Sequence, residues 1–159
     1  MVTSAVSATE DASAAAALHT AIARRLEAAR QRYSRGRRAL VDVLAGSERP
    51  VTSAEIAMRD PVLSLSSVYR NLSVLEQAGV VRRLVTQEDN ARYELSEELT
   101  AHHDHLICEQ CGEVSDYTLG AQLEQAITAA LDTLAKRSSF HPRRHHLEIV
   151  GLCDRCAPS

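Results

Sequence analysis

Two pairs of cysteines constrain this chain more than any other feature. Cys108 and Cys111 form one C-x-x-C motif, Cys153 and Cys156 form a second, and the 4 cysteines of the sequence are all used in these pairs. Two such pairs can hold one Zn²⁺ in a tetrahedral thiolate site, which has no position for water and therefore stabilises a fold. The alternatives are redox dithiols or free buried thiols, but neither pair follows a strand-to-helix pattern. The sequence therefore predicts a structural zinc site joining residues 108–111 to 153–156.

The composition indicates a protein of the reducing cytoplasm. No apolar run approaches the roughly 20 residues that a membrane span needs. The first 17 residues are rich in Ala, Ser and Thr and lack a basic start, so they do not read as a signal peptide. We expect a cytoplasmic protein without a membrane partner, in which paired cysteines bind metal more readily than they form disulfides.

Positive charge is concentrated in the first half of the chain. The net charge is −3, yet seven arginines and one acid, Glu27, lie between residues 24 and 38. Such a cluster in a nearly neutral protein indicates a surface that faces phosphates. The alternative is a solvated helix face.

Hydrophobic periodicity predicts an α+β fold in two domains. Helices are predicted at 14–32, 37–45, 53–59 and 66–78, followed by strands at 80–85 and 91–95 around a turn at 87–90. Helices followed by a hairpin indicate a winged helix-turn-helix. Strands at 103–107, 113–117 and 146–152 and an amphipathic helix at 121–136 then predict a small α/β domain. We assign residues 1–12 to a disordered N-terminus, 13–95 to the winged helix, 96–100 to a hinge and 101–159 to the α/β domain.

The predicted helix at 66–78 carries residues suited to DNA. Val68, Leu72 and Leu75 recur at helical spacing and should face the core. This leaves Ser67, Tyr69, Arg70 and Asn71 for the other faces, where arginine can hold a phosphate or a guanine edge and tyrosine can pack on a thymine methyl group. The alternative is a half-buried tyrosine beside a solvated arginine.

A run of histidines before Cys108 offers harder metal ligands. Because side chains alternate along a strand, His102 and Asp104 should point to one face and His103 and His105 to the other. Candidate partners are Glu94 and Asp116 for the second face, and Glu124 and His145 for the first. Imidazole and carboxylate ligands suit Fe²⁺, Mn²⁺, Ni²⁺ or Zn²⁺. Such a cluster could also activate water in a zinc-dependent hydrolase, but no H-E-x-x-H motif or nucleophile elbow accompanies it.

These motifs, in this order, resemble the ferric uptake regulator (Fur) family over residues 33–156. The matching segments are Ser67-Val68-Tyr69-Arg70-Asn71-Leu72, then 102–112 from His102 to Gly112, then His145, Gly151 and the last C-x-x-C. Residues 33–37, ending in Arg37, look like a weakened form of another family segment. We include Arg37 among the candidate DNA-binding residues.

The resemblance implies a homodimeric, metal-activated repressor, not an enzyme, that binds palindromic operators in double-stranded DNA. It implies structural Zn²⁺ on the four cysteines and DNA recognition by Tyr69 and Arg70. A regulatory metal, Fe²⁺ or another divalent ion, would bind at Glu94, His103 and His105, with Asp116 as a further candidate. A second metal site would use His102, Asp104, Glu124 and His145. We expect an iron-responsive regulator, with zinc, manganese, nickel or peroxide sensing as alternatives.

Two departures from the family pattern concern the sensed signal. Many members place a regulatory histidine just before the third helix, where this chain has Arg49-Pro50. The missing histidine disfavours peroxide sensing. Zinc sensors of one type carry a cysteine after the wing, whereas this chain reads Glu94-Leu95-Ser96, which disfavours zinc sensing.

Overall fold

The structure is a computed structural model that describes residues 3–84, 91–100 and 103–157. The chain divides into two compact units, the first ending at residue 101 and the second beginning at 102. The first contains α1 (Thr3–Ala28), α2 (Arg35–Ala45), β1 (Val51–Thr52), α3 (Ser53–Arg59), α4 (Leu65–Gln77), β2 (Val81–Leu84) and β3 (Arg92–Leu95). The second contains β4 (Asp104–Cys108), β5 (Val114–Tyr117), α5 (Ala121–Arg137) and β6 (Glu148–Gly151). No helix in the described ranges has both the length and the apolar content to cross a bilayer.

The first unit is the predicted winged helix. Its core is aliphatic and includes Val68, Leu72 and Leu75 of α4, which are at most 2% exposed, as the helical spacing predicts. The wing strands β2 and β3 pair antiparallel, and β1 adds a third strand on the other side of β3. The sequence did not predict β1, because two residues are too few to show strand alternation.

Helix α1 differs from its prediction at both ends. It begins at Thr3 and so extends through most of the segment predicted to be disordered, which is rich in helix-forming alanine. It ends at Ala28 and not near residue 32, because Arg30 adopts a left-handed conformation with φ 57°. The Arg30 and Gln31 N–H groups donate to the carbonyls of Glu27 and Leu26, which is the pattern of a Schellman motif.

The predicted capping box fixes the start of α3. The Thr52 N–H donates to Glu55 Oε2 at 2.7 Å, and the Glu55 N–H donates to Thr52 Oγ1 at 3.2 Å. Helix α4 has Ser64 as its N-cap and is followed by Gly79, whose φ of 67° allows the tight passage into β2. Both ends of α4 are therefore set by local sequence.

The segment predicted as a hinge is bonded to the first unit. The Ser96 N–H donates to the Val80 carbonyl at 2.9 Å, and Leu99 packs against the core. Arg25 of α1 donates to the Gly79 carbonyl at 2.6 Å and to Glu98 Oε2 at 2.8 Å. Residues 96–100 therefore continue the winged-helix unit.

The second unit is a three-stranded sheet with one helix. The strand order is β5-β4-β6, with β4 antiparallel to β5 and parallel to β6. Helix α5 lies in the connection between β5 and β6, as a parallel pairing of nearby strands requires. None of its residues is buried, and Leu123 and Leu134 of its predicted apolar face are 50% and 52% exposed.

Candidate metal centres and nucleic-acid interface

The four cysteine sulfurs form one compact cluster. All four Sγ atoms lie within 4.8 Å of one another, and Cys111 and Cys153 are 3.7 Å apart. A tetrahedron with Zn–S bonds of about 2.3 Å has edges of about 3.8 Å. The cluster therefore has the donor type, number and spacing that a zinc ion requires.

Strand pairing explains why the two motifs meet. In the parallel pairing of β4 and β6, Cys108 lies opposite Gly151, so the chain reaches Cys153 two residues later. The Glu109 N–H donates to the Gly151 carbonyl at 2.9 Å and holds the two segments together beyond the strands. Gly112, with φ 65°, closes the first turn by donating its N–H to the Cys108 carbonyl.

The thiols differ in how readily they ionise. The Cys153 N–H donates to Cys108 Sγ at 3.4 Å, and this bond is the largest of the effects that lower the pKa of Cys108 to about 6. Burial is the main effect that raises the pKa of Cys156 to about 12. Four thiolates at this spacing repel one another, and a bound Zn²⁺ would supply the positive charge that stabilises all of them.

His103, His105 and Asp116 form a second cluster inside the second unit. The two imidazoles meet edge to face with centroids 5.1 Å apart, which confirms that they share one side of the β4 segment. His105 Nε2 lies 3.9 Å from Asp116 Oδ1, because the two residues are paired across β4 and β5. One ligand atom of each residue lies within 4.8 Å of the others. His105 is fully buried, His103 is partly buried and Asp116 is exposed, so the cluster extends from the interior to the surface.

The remaining candidate ligand of this set, Glu94, belongs to the first unit. It lies on β3 of the wing and is 8% exposed, which is unusual for a carboxylate. Its cross-strand neighbour on β2 is Arg82, whose guanidinium lies 3.6 Å from Glu94 Oε1.

The proposed second site is partly assembled. Glu124 Oε2 of α5 lies 3.3 Å from His145 Nε2, so the helix does bring that carboxylate to the segment before β6. Asp104 is 1% exposed and accepts the Leu147 N–H at 3.1 Å, two residues beyond His145. His102, the fourth predicted member, lies outside the described residues.

Helix α4 presents a polar face beside α2. Tyr69 is 54% exposed and Arg70 is also exposed, which favours the DNA interpretation over the half-buried alternative. A groove of about 680 Å³ runs along this face, lined by Arg37, Tyr69, Arg70, Asn71, Ser73 and Val74. Asn71 Nδ2 donates to Ser67 Oγ at 3.1 Å, so these two predicted contact residues are already bonded to each other within the helix.

Only part of the arginine cluster is available as a phosphate surface. Arg25 is bonded to Gly79 and Glu98, and Arg38 lies over the Tyr33 ring at 4.7 Å. Arg37 donates to the Arg32 carbonyl and, at 3.3 Å, to Gln31 Oε1, so it braces the turn between α1 and α2 as well as lining the groove. The cluster thus combines structural arginines with exposed ones.

Arg49, at the position of the missing histidine, belongs to an ion-pair network that sequence reasoning did not find. Its Nη2 lies 2.8 Å from Glu55 Oε1, and Arg92 Nη1 of β3 lies 3.6 Å from Glu55 Oε2. Both guanidiniums also contact the Pro50 carbonyl, at 3.4 and 3.3 Å. The capping carboxylate of α3 therefore connects the loop before β1 to the wing. The capping-box motif in the sequence identifies the carboxylate at the start of α3. The contact of that carboxylate with Arg92 follows only from strand pairing.

Comparisons with known proteins agree with this architecture. The sequence profile of the Ferric uptake regulator family matches residues 28–150. The peroxide-responsive repressor PerR of Staphylococcus saprophyticus is 32% identical over 125 residues, which cover 76% of this chain and 78% of the relative.

Solved structures give the same result. The ferric uptake regulator of Helicobacter pylori superposes with a TM-score of 0.69 at 25% identity, covering 91% of this chain and 95% of that chain. The ferric uptake regulator of Vibrio cholerae superposes with a TM-score of 0.63 at 26% identity, covering 82% and 98%. These matches confirm the fold that the sequence predicts. They show that the chain belongs to the ferric uptake regulator family of metal-responsive regulators.

Proposed function

We propose that this protein is a transcriptional repressor that binds palindromic operators in double-stranded DNA as a metal-loaded homodimer and responds to iron. The observation that carries the proposal is the presence, in one chain, of an exposed Tyr69–Arg70 helix face and a His103–His105–Asp116 cluster built around the buried His105. The first suits DNA and the second suits an exchangeable divalent cation. The family membership connects the two in one regulator.

DNA recognition is assigned to α4. Tyr69 and Arg70 would reach base edges and phosphates in the major groove, with Ser67 and Asn71 beside them and Arg37 contacting the backbone from α2. In a dimer, two such helices would enter successive major grooves about 34 Å apart, which is why a palindromic operator is expected.

The second unit supplies the dimer interface in this proposal. The apolar face of α5 is uncovered, and Ile149 and Val150 of β6 are 45% and 55% exposed. A groove of about 340 Å³ lined by Leu106, Ile149 and Leu152, among others, adjoins them. Apolar surface of this kind marks a protein–protein contact, and a second copy of the chain is the occupant that the family implies.

Two kinds of metal are implied. Zn²⁺ would bind the four cysteines and stabilise the second unit. The regulatory ion would bind His103, His105 and Asp116, with Glu94 as the further ligand that the family resemblance implies, and mixed nitrogen and oxygen ligands suit Fe²⁺. His102, Asp104, Glu124 and His145 would form another site, and the Helicobacter pylori relative is described as having three functional metal binding sites.

The regulatory ion would act by coupling metal affinity to DNA affinity. The coupling must be reciprocal, and a typical value of about 1–3 kcal/mol changes operator affinity roughly 5- to 150-fold. The four thiols suit a reducing compartment, and we assign the protein to the cytoplasm. No catalytic role is assigned to any of the three proposed metal sites.

Peroxide sensing is the second candidate, and the similarity to the peroxide-responsive repressor of Staphylococcus saprophyticus favours it. The Arg49–Glu55 pair argues against it, because an arginine at this position cannot bind a metal ion or become a metal-bound oxidation target. Adding hydrogen peroxide to Fe²⁺-loaded and Mn²⁺-loaded protein on operator DNA distinguishes the two. If peroxide releases the Fe²⁺-loaded protein from DNA but leaves the Mn²⁺-loaded protein bound, the protein senses peroxide.

The test of the main proposal is a DNA titration of zinc-loaded protein. Duplexes selected from a random pool are titrated without added metal and with Fe²⁺, Mn²⁺, Ni²⁺ or Zn²⁺, for the wild type, His103→Ala and the control His141→Ala, which changes an exposed histidine outside both clusters. We expect Fe²⁺ to tighten binding for the wild type and the control only. A duplex affinity that no metal changes would refute metal-gated repression. A protein that binds no duplex but shows metal-dependent hydrolase activity would instead support the hydrolase alternative.

A further inference from the structure

Glu94 already has a cationic partner within the winged-helix unit. Arg82 and Glu94 lie directly opposite each other on β2 and β3, so their side chains share one face of the sheet. Arg82 Nη1 lies 3.6 Å from Glu94 Oε1. The Glu94 side chain is 8% exposed and that of Arg82 is 23% exposed, so water screens this pair only weakly.

The same guanidinium has a second carboxylate within reach. Arg82 Nη1 lies 3.7 Å from Glu97 Oε1, and the Glu97 side chain is also 8% exposed. Glu97 belongs to the turn after β3, whose backbone is held by the Ser96 N–H bond to Val80. One arginine is therefore placed between two largely buried acids, one of which is a proposed metal ligand.

We propose that Arg82 competes with the regulatory metal for the Glu94 carboxylate, and that Glu97 takes over the guanidinium when the metal binds. This inference rests on the proposed function, because it requires Glu94 to be a ligand of the regulatory ion. Arg82 and Glu97 are then affinity-setting residues that do not touch the metal.

The competition follows from elementary electrostatics. A carboxylate that shares its charge with a guanidinium is a weaker ligand, and the guanidinium repels an approaching divalent cation. Leaving Arg82 with no acid would be costly, because an unpaired charge in a poorly solvated site is strongly destabilising. Glu97 removes most of that cost, since it lies at almost the same distance as Glu94. The pair thereby sets the metal concentration at which the regulator responds.

Mn²⁺ titration of zinc-loaded protein tests the proposal, with free Mn²⁺ measured by electron paramagnetic resonance. The thiolate zinc should not exchange, because Zn²⁺ binds more tightly than Mn²⁺. We expect Arg82→Gln to tighten Mn²⁺ binding by roughly 5- to 10-fold, since a largely buried ion pair is worth more than an exposed one. Arg82→Lys retains the charge and should bind Mn²⁺ like the wild type. Arg83→Gln is the matched control, because it removes the same charge from the opposite face of β2.

Substitution of Glu97 provides an independent test, in which Mn²⁺ affinity should change in the opposite direction. Glu97→Gln should weaken Mn²⁺ binding, since Arg82 then loses one of its two nearby carboxylates and pairs more strongly with Glu94. In the Arg82→Gln background the same Glu97 change should have little effect, and the double-mutant cycle separates this indirect role from direct attraction between Glu97 and the metal. Thermal unfolding of each variant confirms that it is folded.

The outcomes separate this inference from the function on which it rests. If Glu94→Gln leaves Mn²⁺ affinity unchanged, Glu94 is not a ligand and the proposed ligand set is wrong. If Glu94→Gln weakens binding but Arg82→Gln leaves it unchanged or weaker, the ligand set survives and the competition is refuted. Should Arg82→Gln not fold, an unchanged affinity in Glu97→Gln would also overturn the proposal.

Discussion

Glu55→Gln should destabilise the winged-helix unit in a way that depends on pH. Glutamine preserves the capping box with Thr52 but removes the charge that pairs with Arg49 and Arg92. Burial alone would raise the pKa of Glu55, but hydrogen bonds from the Thr52 N–H and the Arg49 guanidinium outweigh it and lower the pKa from 4.5 to about 2. The wild type is therefore stabilised by the ionised carboxylate.

The size of this loss of stability follows from the pKa of Glu55. A carboxyl group whose pKa falls from 4.5 to about 2 on folding contributes at most about 3.4 kcal/mol. The Glu55 side chain is 26% exposed, so solvent screens the interaction, and we expect about 1–2 kcal/mol. Because the folded-state pKa is the lower one, this contribution is complete above pH 4.5 and disappears as the pH falls towards 2.

The assay compares urea unfolding of the wild type and Glu55→Gln between pH 7 and pH 2. The methyl NMR signals of Ile56, which is buried in the core of the first unit, follow the unfolding of that unit separately from the loss of zinc in the second. Glu48→Gln is the control, since it neutralises an exposed acid in the loop before β1 and should change stability little. A difference between wild type and Glu55→Gln that stays constant from pH 7 to pH 2, or that is absent at pH 7, would refute the reasoning.

Three further predictions concern other parts of the molecule. Gly79→Ala should lower the free energy of unfolding by about 1–2 kcal/mol through backbone strain, because φ is 67° and the added methyl would meet only Arg25 at 3.8 Å. Gly120→Ala should not lower the free energy of unfolding, because φ is −64° and no atom lies within 4 Å of the added methyl. Equal urea midpoints for the two variants would contradict this prediction. Arg70→Ala should weaken duplex binding and reduce the salt dependence by about one phosphate contact, and an unchanged slope would rule out a phosphate role. Cys111→Ser should release zinc and unfold the second unit while the Ile56 signals remain native; one zinc retained per chain would count against the four-thiolate site.

The sequence predicted the features that depend on local pattern. Helical spacing identified Leu72 and Leu75 as core residues, and the cysteine pairs identified the thiolate cluster. The alternation of strand residues placed His103 and His105 on one side. Each of these follows from neighbours within a few residues, or from two C-x-x-C motifs whose spacing is typical of a zinc site.

The features that the sequence missed depend on which strand lies beside which. The pairing of Arg82 with Glu94 and that of Arg92 with Glu55 require the register of β3 against its neighbours, which no local pattern provides. The end of α1 was missed because an arginine, Arg30, takes the left-handed conformation that usually signals glycine.

The bonds that hold residues 96–100 determine where the chain can be divided. A fragment ending at Leu95 would lose Leu99 from its core and leave Arg25 without Glu98, although it would contain every predicted helix and strand of the winged helix. A fragment ending after Thr100 keeps both contacts. Calorimetry and DNA binding on isolated winged helices therefore need the longer fragment.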